Sequence, residues 1–495
     1  MIRRLTACAL LLPAALAAQT QQEYAGRRAD LAAKLPDGAF IALGGHEPAQ
    51  DYLSFEQAPS FYYLTGFKEP DAALLMIKQD GAVRSATMFV RPRQPSREVW
   101  TGTRIGVDGI GALTGIRGRV ATDLGKVLDS LAGAGLAFAV VGDVGTRDAD
   151  DEGAAVARSA DEQVFDPIRK KHASMKVTSV NQIVEQLRGR KSAAELTQIR
   201  NAVDITVRAQ KEAIPSIKPG MNEFEVQALI EYTFRRNGAD RPSFSTIVGS
   251  GPNATTLHYN QNDRFMEFGD LVVMDIGASF KGYAADVTRT VPVSGTFTAQ
   301  QRAVYQIVRD AQAAAERQAT LGNAARLMTD SSNAVLAAGL TRLGLIESPN
   351  ATYDCVGGAQ PRQCAQFRLF YMHGIGHGIG LEVHDHDQYY DTGRIQPGSA
   401  FTIEPGIYVR EHLLDEIPDT PRNREYGARI RAALASYKNI GVRIEDNYIA
   451  TAQGIEWLSQ GAPREMNDIE ALMKQGSTGV AARDEFRVEK YRMTP

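Results

Sequence analysis

The chain has 495 residues, 43% hydrophobic and 23% charged, with a formal charge of −3 at neutral pH. That length exceeds one ordinary domain and can bury substantial cores, so two domains are expected and no staple is needed for folding. Lys and Arg are scattered rather than blocked, which gives no nucleic-acid or membrane-surface partner.

The first element in chain order reads as an export signal. Arg3 and Arg4 precede an apolar run from Leu5 to Ala18 with a small-residue site at Ala15-Leu16-Ala17, so residues 1–17 are expected to be a signal peptide and the mature protein to be periplasmic or extracellular. The apolar run is short of the roughly 20 residues that cross a bilayer as a helix, so no stable membrane insertion is expected. Cys8 leaves with that segment. Cys355 and Cys364 then bracket a polar loop with Gly357, Gly358 and Pro361. In an oxidising compartment a disulfide fits there, two free thiols are the other reading, and neither cysteine has the spacing of a zinc site.

From 24 to 176 short apolar runs, such as Ala39-Phe40-Ile41-Ala42-Leu43 and 72–77, alternate with Gly, Pro and Asp. They predict strands of an α/β domain. No glycine-rich loop opens a helix here, so no nucleotide cofactor is expected.

The polar stretch Arg169-Lys170-Lys171-His172 marks a boundary near 176, and the pattern turns helical. Ser192 with Glu195 forms a capping box for a helix to about Ile214, ended by Pro215 and the turn Pro219-Gly220. Asn222 with Glu225 starts a second helix that stops at Gly238. Thr298 with Gln301 starts a third that reaches about Leu321, and a fourth is expected over about 329–342. Between them lie β-rich segments at 271–276 and 284–293. Helices that lead into β segments twice predict, over 177–455, an α+β domain with helices on one side of an antiparallel sheet. Residues 456–495 turn polar and read as a C-terminal extension, with one short amphipathic piece at 467–475.

Four carboxylates and three histidines stand in apolar or glycine-rich settings. Val272-Val273-Met274-Asp275-Ile276-Gly277 places Asp275 inside a strand of buried character, and Ala284-Ala285-Asp286-Val287-Thr288 does the same for Asp286. A buried carboxylate needs a cation or strong donors. For either aspartate alone, a satisfied structural hydrogen bond serves equally. Glu404 in Thr402-Ile403-Glu404-Pro405-Gly406 and Glu445 in Val442-Arg443-Ile444-Glu445-Asp446 again put an acid after an isoleucine.

His373-Gly374-Ile375-Gly376-His377-Gly378-Ile379-Gly380 spaces its histidines four apart, yet it lacks the Glu of the helical zinc-protease motif. Four alternate glycines would also cost a helix about 1 kcal/mol each. Extended geometry puts His373 and His377 on one face and a glycine strip on the other, open to close approach by another backbone or a substrate. His384 follows in Glu382-Val383-His384-Asp385. Four carboxylates and one imidazole suit two hard or borderline dications, manganese above all. A close pair of ions can share a hydroxide and polarise a carbonyl.

In order and context, Asp275, Asp286, His377, Glu404 and Glu445 resemble the five ligands of the pita-bread metallopeptidases, and Lys281-Gly282-Tyr283-Ala284-Ala285-Asp286-Val287-Thr288-Arg289-Thr290 is similar to their signature. The N-terminal half resembles the creatinase-like domain of the aminopeptidase P branch, through Phe61-Tyr62-Tyr63-Leu64-Thr65-Gly66-Phe67 with Glu69-Pro70, and Glu98-Val99-Trp100-Thr101-Gly102. The resemblance implies a pita-bread fold with two divalent ions, and release of the first residue of small peptides that have proline second. It implies that Asp286 and Glu445 bridge the ions, Asp275 binds one, His377 and Glu404 bind the other, and Glu404 also takes the proton of the attacking water. It gives His258, His373 and His384 the substrate and the oxyanion, and Arg443 the orientation of a ligand carboxylate. It further implies a homodimer or tetramer.

The long link between Glu404 and Glu445, charge-rich over 411–437, departs from compact aminopeptidases P and is similar to prolidases, which split dipeptides ending in proline. A metal-free creatinase-type hydrolase and an inactive binding module share the fold. An intact ligand set argues against both.

Overall fold

The computed structural model describes residues 20–50, 52–142, 160–356, 362–477 and 486. The export signal expected at 1–17 lies outside them. The chain forms two compact units that meet in sequence at Arg188 and Gly189.

The N-terminal unit is built on a six-stranded sheet whose strands lie in the order Arg117–Val120, Ala82–Val90, Ala73–Gln79, Gly38–Leu43, Phe138–Gly142, Val177–Ser179. Gly38–Leu43 runs parallel to Phe138–Gly142 and antiparallel to Ala73–Gln79. Both faces of this strand are buried, Ala39, Ile41 and Leu43 on one and Phe40 and Ala42 on the other, which is why its sequence reads as an unbroken apolar run. Val177–Ser179 pairs with Phe138–Gly142, so the unit extends past the boundary expected at 176. A three-residue edge strand carries too little apolar periodicity to be seen in sequence.

The C-terminal unit is α+β. The capping boxes form as expected: Ser192 with Glu195 opens the helix Ala193–Ala213, Asn222 with Glu225 opens Glu223–Arg236, and Thr298 with Gln301 opens Ala299–Gln318. The fourth helix is Arg326–Arg342. Its strands pair only antiparallel among the described residues. Val287–Pro292, Leu271–Ile276 and Ile247–Ser250 form one sheet, Ala400–Ile403, Asp446–Thr451 and Gly454–Trp457 another, and Gly406–Val409 pairs with Ile440–Arg443.

Two buried glutamines tie the long helices to these strands. Gln210 Nε2 donates to the carbonyls of Met274 (3.1 Å) and Val287 (2.9 Å), and Gln312 Nε2 donates to Asp446 Oδ2 (2.8 Å). Paired groups of this kind let polar backbone stay buried.

The tail differs from the expected extension. Gly454–Trp457 completes a sheet and the helix Met466–Gln475 packs on the body, where Glu470 accepts from the Phe297 amide and pairs with Arg302. Its polar sequence hid this because the few apolar residues it buries, Ala462 and Ile469, are set among charged side chains that find partners only in the folded chain. Cys355 and Cys364 are disulfide-bonded, with Cα atoms 5.6 Å apart. The charge-rich link folds as the helix Pro421–Tyr437, capped by Thr420, and docks on the hairpin that carries this bond: Thr420 Oγ1 donates to Asp354 Oδ2 (2.6 Å) and Asn423 Nδ2 to Asp354 O (2.9 Å).

Candidate metal centre

Asp275 sits inside Leu271–Ile276, opposite Thr288 across the ladder. The other three acids stand where a strand is interrupted. Asp286 falls between Tyr283–Ala284 and Val287–Pro292, Glu404 between Ala400–Ile403 and Gly406–Val409, and Glu445 between Ile440–Arg443 and Asp446–Thr451. The continuous strand expected over 284–293 is therefore broken at Asp286, whose amide leaves the ladder and donates to Asn447 Oδ1 (3.0 Å). Pro405, which has no N–H to give a ladder, follows Glu404.

The glycine-rich segment lies beside Ala400–Ile403 but is not a regular strand: it bends at His373, Ile375 and Gly380 and bridges to Phe401 at Gly378. Thr402 N donates to His377 O, Ile379 N to Ala400 O and Glu404 N to Ile375 O. A Cβ on Gly376 would stand 2.1 Å from Thr402 O, and one on Gly378 would stand 2.3 Å from Asp385 O. Glycine is thus required for two backbones to pack this closely, as the sequence pattern implies.

All nine residues singled out from sequence line one cavity of about 440 Å³: Asp275, Asp286, His377, Glu404, Glu445, His258, His373, His384 and Arg443. Donor atoms of Asp286, His377 and Glu445 lie within 4.8 Å of one another. His377 Nε2 is 3.5 Å from Glu404 Oε1, 3.6 Å from Asp286 Oδ2 and 3.9 Å from Glu445 Oε1. Its Nδ1 lies 3.1 Å from Gly378 O, which places the proton there and leaves the Nε2 lone pair facing carboxylates.

A lone pair aimed at three anions is electrostatically unfavourable unless a cation lies between them. Asp275 Oδ1, Asp286 Oδ1 and Glu445 Oε1 are likewise buried and find no hydrogen-bond donor among the described residues. The donor set therefore fits divalent cations with oxygen and imidazole ligands.

The proton equilibria of the metal-free cage carry the same message. Burial pushes the Asp286 carboxyl well above the usual carboxylate range, and the charges of Glu445 and Asp275 add to it. Glu404 is raised by burial and by Glu445. Glu445 is pushed up to about 8, by burial first and Asp275 second. Asp275 goes the other way: burial raises it, but the Arg443 guanidinium and its hydrogen bonds hold it below the ordinary value. Burial takes His373 down to about 3, helped by Arg443, and His377 down to about 4, helped by His384, whose ring centroid is 4.1 Å away. Both imidazoles are neutral at pH 7, the form that ligates metals.

Further side chains, unnoticed in the sequence, hold these groups. Thr288 Oγ1 donates to Glu445 Oε2 (2.7 Å). Tyr408 OH accepts from Arg443 Nη1 (2.9 Å) and reaches His373 Nε2 (2.7 Å), while His373 Nδ1 lies 2.8 Å from Gly374 O. His373 is thereby fixed as the Nδ1–H tautomer with Tyr408 donating to Nε2. Thr288 follows Asp286, and Asn447 follows Glu445, by two residues, the strand period that marks a shared face and the one signal that could have found them. Phe244, Ile247, Leu257 and Val383 give the cavity its apolar wall. Buried Glu223 anchors the loop that carries His258 and accepts from Ser250 N (2.6 Å), Tyr259 OH (3.0 Å) and Arg264 N (3.0 Å).

A cage of four carboxylates and a neutral imidazole opening on such a cavity defines a metallohydrolase of the two-ion kind. Comparison with known proteins agrees. Residues 197–452 match the model of metallopeptidase family M24, and residues 24–135 match the aminopeptidase P N-terminal domain. The Xaa-Pro aminopeptidase of Escherichia coli is 32% identical over 463 residues, which cover 92% of this chain and 98% of that one. A solved proline aminopeptidase P II from Yersinia pestis superposes with a TM-score of 0.76 at 30% identity, over 92% of this chain and 100% of that one. Escherichia coli aminopeptidase P with the inhibitor Pro-Leu gives 0.75 at 30%, over 92% and 98%. The chain belongs to the aminopeptidase P group of metallopeptidase family M24, metal-dependent exopeptidases with the pita-bread fold.

Proposed function

We propose that the enzyme hydrolyses the bond between the first residue of a peptide and a following proline. The observation that carries this is the His377 Nε2 lone pair set 3.5–3.9 Å from three carboxylates inside the cavity, a cage made for cations. Asp275, Asp286, His377, Glu404 and Glu445 would hold two divalent ions, manganese being the choice that suits this oxygen-rich set. Bound there, such ions supply Lewis acidity toward the scissile carbonyl and acidify water at neutral pH.

The protein supplies proton handling and placement. Glu404, which faces His377 Nε2 at 3.5 Å across the cage, would take the proton of the attacking water and hand it to the leaving proline nitrogen. Its Oε2 lies 3.6 Å from His373 Nδ1. His258, His373 and His384 line the same cavity and would orient the peptide and the developing oxyanion. Arg443, paired with Asp275 and Tyr408, keeps a ligand carboxylate and His373 in register.

The prolidase reading rests on the long link between Glu404 and Glu445. Residues 411–437 do not line the cavity, so the link gives no ground for restricting it to dipeptides. Rates on Xaa-Pro dipeptides beside Xaa-Pro-Yaa tripeptides, with metal-free and Mn2+-loaded enzyme, test the proposal. Turnover confined to dipeptides would make the enzyme a prolidase.

We further propose export to the periplasm or beyond, supported by the basic-then-apolar start of the chain and by a disulfide suited to an oxidising compartment. Assembly as a dimer or tetramer is checked by light scattering.

A further inference from the structure

The C-terminal residues, which the sequence leaves without chemistry, close around the peptide that presents Glu445. Its neighbour Asp446 is fully buried and has both oxygens saturated. Oδ1 accepts from Arg289 Nη2 (2.7 Å) and Ser459 Oγ (2.5 Å), and Oδ2 accepts from Arg464 Nη1 (2.7 Å) and Gln312 Nε2 (2.8 Å). Ser459 and Arg464 belong to the tail. Arg289 extends the grip: Nη1 donates to Glu445 O (2.7 Å) and Thr288 O (2.8 Å), while Nε and Nη2 donate to the tail carbonyls Pro463 O and Ala462 O, each at 3.0 Å.

Arg464 is itself fixed, stacked 3.6 Å from the Trp457 ring centroid, with its carbonyl accepting from Tyr305 OH (2.8 Å). These contacts converge on two consecutive residues, one of which is the cage carboxylate Glu445, whose Oε2 accepts from Thr288 Oγ1. Groups that ligate metals act well only when the atoms behind them are held, and hydrogen bonds behind the ligands do the holding.

We propose that the tail segment 457–464, acting through Asp446 and Arg289, is a positioning element of the metal centre that sets the Glu445 carboxylate for the ions. This rests on the two-ion reading above. Arg464 and Ser459 touch no reacting atom. They act through the peptide that carries Glu445.

The test uses the full-length protein stripped of metal by a chelator and titrated with Mn2+ by calorimetry, with melting followed in parallel. Arg464→Met should weaken Mn2+ affinity by about tenfold or more, while Arg464→Lys, which keeps the charge, stays within about threefold of wild type. Arg200→Ala is the control, because Arg200 ties the same end of the chain through an exposed pair with Glu456 that does not reach Asp446. It should leave affinity unchanged. Ser459→Ala gives a second, milder perturbation if Arg464→Met does not fold, and should also weaken binding. Wild-type Mn2+ affinity in Ser459→Ala and in folded Arg464→Met would overturn the proposal. Wild-type protein that binds fewer than two Mn2+ would instead sink the two-ion reading beneath it.

Discussion

Arg443 Nη2 stands 2.6 Å from Asp275 Oδ2, and both side chains are almost wholly buried. The same guanidinium donates to Tyr408 OH and Leu257 O, so one cation fixes a cage carboxylate, the partner of His373 and the backbone next to His258. Removing one member of a buried pair costs about 3–5 kcal/mol because the other is left uncompensated. Arg443→Met should destabilise the catalytic unit by that order in denaturant titration and cut kcat by about 10- to 100-fold. A kcat unchanged from wild type would show that Asp275 and His373 need no such holder.

Asp286→Ala and Glu445→Ala each remove a carboxylate that His377 faces across the cage. Both variants are expected to lose peptide hydrolysis and to retain fewer than two metal ions per chain by elemental analysis. Near-normal turnover in either would reject the bridging roles.

The pH response of the metal-free protein has a definite sign. Glu445, ordinarily near 4.5, is pushed up to about 8 in the folded chain, so its contribution favours folding at low pH and is lost as pH rises through 8. His373 and His377, held at about 3 and about 4, are neutral in folded and unfolded chains alike above about 7 and do not offset this. The melting temperature without metal should therefore fall between pH 7 and 8. Mn2+ affinity should rise over the same interval with release of protons, seen as a buffer-dependent heat in calorimetry.

Gly376→Ala is expected to destabilise by about 1–3 kcal/mol, because a new methyl would collide with the Thr402 carbonyl 2.1 Å away. The displaced segment carries His377, so metal retention should fall with stability. A variant with wild-type melting and metal content would mean that the two backbones can part without moving the imidazole.

Much of the fold is legible locally. Ser192 with Glu195, Asn222 with Glu225 and Thr298 with Gln301 announce three helix starts because a cap needs only residues three apart. The break at Asp286 is not legible: its amide is claimed by Asn447, far along the chain, and apolar flanking residues look the same whether or not a ladder continues through them. The packing of the tail is not legible for a related reason. Arg464 and Glu470 look solvated until their partners Asp446 and Arg302 are folded against them.

The sequence by itself determined the ligand chemistry: acids set in apolar runs, histidines among alternate glycines, and an intact set of five. Side-chain type and local setting are written residue by residue. The tertiary structure decided that Asp275, Asp286, His377, Glu404 and Glu445 meet in one cavity, which lone pair of His377 faces it, and that Tyr408, Thr288 and the 457–464 segment stand behind them. Those facts depend on distances between groups far apart in the chain, which are set only when packing closes the loops between them.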